Sequence, residues 1–92
     1  MTYQIVYSET SRTQIRKLHP QIKPVVKAKI EKLRDNPFSG KYLEKELSGY
    51  LSMRAQRFRV IYKIKDNDQT VEIHYVGHRK DIYELFKEAA AK

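Results

Sequence analysis

The sequence predicts an α+β domain, a small and mostly antiparallel sheet with a helical hairpin on one face and a short helix at the C-terminal end. Three observations predict it. Ile22, Val25, Val26, Ile30 and Leu33 recur at helical spacing and form one apolar stripe. From Tyr50 onward the period changes to two and persists through three successive segments. Clusters of turn-forming residues, Asp35 to Gly40 and Asp66 to Gln69, separate the periodic stretches.

Each element has a local reason. Tyr3 to Tyr7 is rich in β-formers and reads as a first strand. Ser8 suits the N-cap of a following helix, with Glu9 in its first turn against the positive end of the dipole. Ile15 and Leu18 share a face of this helix, which ends near His19-Pro20. The second helix must hold Pro24 in its first turn, because proline deeper inside would remove a hydrogen bond and clash. The two helices make an αα-hairpin. Lys41 to Gly49 reads as a loop or an edge strand. Tyr50 to Gln56, Phe58 to Ile64 and Thr70 to Val76 read as strands, and Asp81 to Ala91 as a closing helix rich in Glu, Leu and Ala.

Ninety-two residues suit one domain, 1–92, and are too few for two independent cores. With no cysteine, disulfides and thiolate metal sites are excluded, and His19, His74 and His78 lack metal-ligand spacing. No apolar run reaches the ~20 residues that span a bilayer, and no signal-peptide core is present, so the expectation is a soluble cytoplasmic protein with no membrane partner. Nineteen Lys and Arg against eleven Asp and Glu leave a formal charge of +8. That excess draws polyanions, by steering and by release of counterions from phosphates.

Strand parity turns this outline into a site. Phe58, Val60, Tyr62 and Ile64 form an apolar face suited to the helices, which leaves Arg59, Ile61 and Lys63 on the other. In the preceding strand Leu51, Met53 and Ala55 are the apolar set, so Tyr50, Ser52, Arg54 and Gln56 point the same way as Arg59. Pairing of the two strands makes Arg54 and Arg59 neighbours, a repulsive arrangement that an anion between them would relieve. Unbroken alternation through Glu72, His74 and Val76 carries His78 onto this same face. The plain alternatives are an Arg59 salt-bridged to Glu72 and a Tyr83 that fills core beside Leu85 and Phe86.

The segments RFRVIYKI (57–64) and VGHRKDIY (76–83), with NPFSG and ELSGY upstream, resemble the RelE/ParE superfamily of type II toxin–antitoxin toxins, and its RelE and YoeB branches in particular. The resemblance implies the RelE-like microbial ribonuclease fold and a ribosome-dependent, metal-independent endoribonuclease without cofactor, an mRNA interferase cutting messenger RNA in the 30S A site. It also implies a cognate antitoxin, whose acidic segment would cover the cationic face. By position it implies catalytic roles for Arg54, Arg59, His78, Arg79 and Tyr83, with Lys41, Lys45, Arg57 and Lys80 as contacts to RNA. Ser52 and Tyr50 stand where several relatives carry lysine or arginine, and the glutamate base of YoeB-like enzymes has no clear match, its position falling near Lys41.

Metal-free RNA cleavage uses the substrate's own 2′-hydroxyl as nucleophile. It needs a base, cationic donors for the phosphorane and an acid for the 5′-oxygen. Arginine stays protonated and therefore grips phosphate and stabilises charge. Histidine is the side chain type here whose ordinary range suits either proton-transfer role, and His78 is favoured as acid. Tyr83 is suited to donate a hydrogen bond or to stack on a displaced base. The base is open among His78, Glu46, Lys41 and a ribosomal group. Two other functions compete: a ParE-like toxin that poisons DNA gyrase by binding, and an inactive relative that only pairs with an antitoxin.

Overall fold

The computed structural model describes residues 2–78 and 82–90. Strand β1 (Gln4–Tyr7) leads into helices α1 (Glu9–Arg16) and α2 (Lys23–Glu31). Strands β2 (Lys41–Tyr42), β3 (Leu51–Ala55), β4 (Phe58–Lys65) and β5 (Thr70–His78) follow, and helix α3 (Ile82–Ala90) completes the order. They build a five-stranded sheet in the order β1-β5-β4-β3-β2, parallel only where β1 meets β5.

Local chemistry sets the helix ends as expected. The Ser8 hydroxyl accepts from the Ser11 N–H at 3.0 Å, and Pro24 lies in the first turn of α2. The hairpin buries Val26, Ile30 and Leu33 against Leu51, Ala55, Val60, Tyr62, Val71, Ile73 and Val76, forming the main core. The opposite face of the sheet holds a smaller cluster, in which Ile82 and Phe86 of α3 cover Ile61 and Leu47. Burial of an isoleucine or phenylalanine side chain contributes roughly 1.5–3 kcal/mol, so two such anchors hold α3 modestly. Among the described residues no helix is long and apolar enough to cross a membrane.

The segment Lys41 to Gly49 divides into a two-residue edge strand and a 3₁₀ turn, Lys45–Leu47. Gly40 permits the edge strand to form. A Cβ at that position would lie 2.8 Å from the Ser52 carbonyl oxygen and press on the Tyr62 phenol. Tyr62 is fully buried, and its hydroxyl donates to the Pro37 carbonyl at 2.8 Å while accepting from the Gly40 N–H at 3.0 Å. Burial pushes this phenol above its ordinary pKa, so it stays a donor.

One feature overturns the parity expected for β5. The register against β4 shifts between Ile61 and Tyr62: Ile61 faces Tyr75, whereas Tyr62 faces Ile73. His74 is the extra residue of a β-bulge, and both His74 and Tyr75 lie on the α3 side, where their rings meet Phe86. Alternation inverts beyond it. Val76 enters the hairpin core opposite Val60, and His78 pairs with Phe58 on that same side. The bulge is satisfied from α1. The Ser8 hydroxyl donates to the His74 carbonyl at 3.1 Å, the Ser11 hydroxyl to the Ile73 carbonyl at 2.9 Å, and the Val76 N–H to the Gln14 side-chain oxygen at 2.7 Å.

Candidate active site

The face of the sheet that carries α3 holds two cross-strand rows at its β2–β4 end. Lys41, Ser52 and Ile61 are register partners in one, and Arg54, Arg59 and Gly77 in the other. Arg54 is therefore directly opposite Arg59, and like charges so placed destabilise a sheet. Arg54 is exposed, with its Nε donating to the Gln56 carbonyl at 3.0 Å. Arg59 is half-buried, and its Nη1 donates to the Ser52 hydroxyl at 3.2 Å. The same hydroxyl lies 3.0 Å from the Tyr83 hydroxyl on α3.

Among the described residues, the ion pairs are Arg34–Glu31, Lys65–Glu72, His74–Glu72 and Lys87–Glu46, and none includes Arg54 or Arg59. Glu72 lies opposite Lys63, so it is not the partner of Arg59. Two guanidiniums are held together here without a carboxylate from the described part of the chain. Such a pair offers forked donors to a phosphate or carboxylate. Among the described residues no three His, Cys, Asp or Glu side chains gather in a way that would hold a metal ion.

The placement of His78 corrects the sequence expectation. Parity put it beside Arg59, but the bulge turns it to the hairpin side, where its ring lies 5.7 Å from that of Phe58. Glu46, a candidate base, is exposed on the 3₁₀ turn and its carboxylate meets Lys87 Nζ at 3.3 Å. The hydrogen bond and charge of Lys87 hold it below the usual carboxylate range, which lowers its basicity. Lys41, Lys45 and Arg57 are exposed, Arg57 in the two-residue turn between β3 and β4. Arg79 and Lys80 lie outside the described residues.

With this geometry in view, similarity to known proteins is decisive. A family model described as the ParE toxin of type II toxin–antitoxin systems matches residues 5–83. The chain belongs to this ParE toxin family. Toxin RelG of Mycobacterium tuberculosis is 39% identical over 85 residues, covering 90% of this chain and 98% of the relative. The toxin–antitoxin complex RelBE2 of the same organism includes a chain 36% identical with a TM-score of 0.78, covering 86% of this chain and 100% of that one. A free E. coli RelE mutant superposes with the same TM-score of 0.78 at 20% identity, covering 99% of this chain and 97% of that one, which is a likeness of fold. The expected RelE-like architecture and membership of the RelE/ParE superfamily both stand.

In this ParE-family toxin, the structure brings together Arg54, Arg59 and Tyr83 from the expected set, with Lys41 in the adjoining row. It separates His78 from them. Strand parity put Ser52 on the Arg59 face, but its role as the hydrogen-bond partner of Arg59 and Tyr83 was missed, its hydroxyl being read as the loss of a basic side chain. A small hydroxyl residue between positions of core parity was the available signal, since a buried serine must find partners.

Proposed function

We propose that this toxin is a metal-independent endoribonuclease that cuts messenger RNA in the A site of the 30S ribosomal subunit and so inhibits translation in the cytoplasm. The opposed pair Arg54 and Arg59 carries the reading, because it places two fixed cations where a scissile phosphate would relieve their repulsion. The 2′-oxygen attacks phosphorus as its proton is taken, the P–O5′ bond breaks, the departing 5′-oxygen takes a proton from water or a ribosomal group, and a 2′,3′-cyclic phosphate remains on the upstream fragment. Arg54 and Arg59, with Arg79 as a third proposed donor, hold the phosphate while charge builds on it. Tyr83 donates a hydrogen bond to the same group. A ribosomal group or Lys41 takes the 2′-hydroxyl proton, since Glu46 is bound to Lys87 and His78 faces the other side. Lys45, Arg57 and Lys80 contact the RNA backbone. A cognate antitoxin with an acidic segment would cover this face, as the RelBE2 and E. coli RelBE complexes contain an antitoxin bound to their own toxins.

The test is a translating extract with a reporter transcript and mapping of its ends. Codon-phased cuts that require ribosomes and leave cyclic phosphate ends support the reading. The ParE name of the matching family model favours a second reading, gyrase poisoning, which predicts trapped gyrase–DNA breaks instead. Neither result would indicate a relative that only pairs with an antitoxin. In the same extract His78→Ala should cut within roughly threefold of the parent, because its side chain leaves the arginine face. A loss of roughly 30-fold or more would restore His78 to the chemistry.

A further inference from the structure

We infer that Ser52 is a positioning residue that seats Arg59 and Tyr83 as one unit, an inference that rests on the phosphate-gripping role proposed above for Arg59. Ser52 is 2% exposed, and it and Ser11 are the buried polar side chains of the described chain. Its one hydroxyl joins three elements: it belongs to β3, accepts from Arg59 Nη1 of β4 at 3.2 Å and lies 3.0 Å from the Tyr83 hydroxyl of α3. A serine hydroxyl has one proton and two acceptor sites. Arg59 occupies one acceptor site, which leaves the Ser52 proton and its second acceptor site to the Tyr83 hydroxyl; in either direction the bond ties both side chains to one hydroxyl. Anchoring Nη1 also fixes the guanidinium plane and leaves Nε and Nη2 for the phosphate. A lysine at this position would set an ammonium against Arg59 and could not accept its hydrogen bond.

Four full-length proteins test this: the parent, Ser52→Ala, Ser52→Thr and Ser52→Val. Threonine keeps the hydroxyl, whereas valine matches its shape without one, so the pair separates hydrogen bonding from packing. NMR of the free protein, with labelled arginine, reads rotation about the Arg59 Nε–Cζ bond. Rotation should be slowed in the parent and Ser52→Thr, and several-fold faster in Ser52→Ala and Ser52→Val. Single-turnover cutting on programmed ribosomes should fall about 10-fold in the alanine and valine proteins, the scale of one hydrogen bond to a charged group, with half-saturating ribosome concentration within twofold. Threonine should restore it. Equal rotation rates in all four proteins, or equal cutting by valine and threonine, overturns the inference. If the parent itself does not cut, the proposed function fails, and the rotation measurement alone decides whether Ser52 seats Arg59.

Discussion

Arg59→Ala should cut transcripts roughly 10²- to 10³-fold more slowly than the parent, the range seen when a donor to a developing oxyanion is removed. The fold should survive. Arg59 is half-buried rather than a core residue, and its removal relieves the repulsion with Arg54 across the β3–β4 pair. The lost bond to Ser52 is offset in part by that relief, and Ser52 keeps Tyr83 as a partner, so the melting temperature should stay within about 4 °C of the parent. Arg59→Lys keeps the charge but loses the fork, so it should fall between the two proteins. Activity equal to that of the parent in Arg59→Ala, measured by single-turnover cutting, would remove the phosphate from this face.

Gly40→Ala should destabilise the fold strongly. Its methyl group would sit 2.8 Å from the Ser52 carbonyl, which belongs to the β3 backbone, and against the hydroxyl of the fully buried Tyr62. Neither neighbour can move cheaply. Either β2 separates from β3, or Tyr62 rotates and gives up its bonds to Pro37 and Gly40. Overpacking and a lost buried hydrogen bond together cost about 2–4 kcal/mol. For a domain of this size that lowers the melting temperature by roughly 10–25 °C. A thermal melt within about 2 °C of the parent would show that the close approach of Gly40 to Tyr62 is absent. Cutting should fall as well, because Lys41 would leave its place opposite Ser52.

The fold was legible because local signals and global pattern agreed. Ser8 caps α1, Pro24 opens α2, and alternation places Leu51, Met53, Ala55, Phe58, Val60, Tyr62 and Ile64 on the core the hairpin covers, with Ile61 on the α3 side. The same alternation placed Arg54 opposite Arg59. It failed at β5, where a bulge inserts one residue and reverses every side chain beyond it. What stabilises the bulge was not legible. Ser8, Ser11 and Gln14 satisfy its backbone groups from more than sixty positions upstream in sequence, and such contacts exist only once the hairpin has docked on β5. Ser52 escaped for a related reason, since its meaning depends on Tyr83 reaching it from α3.

The central claim is that Arg54 and Arg59 form one phosphate site. Titrating the labelled arginines by NMR with a short 2′-O-methyl RNA, which cannot be cut, tests it most directly. The side-chain signals of Arg54 and Arg59 should shift together with one dissociation constant, while that of Arg16, on the hairpin side, stays put until far higher RNA concentration. Arg16 responding first, with Arg54 and Arg59 unmoved, would contradict the account.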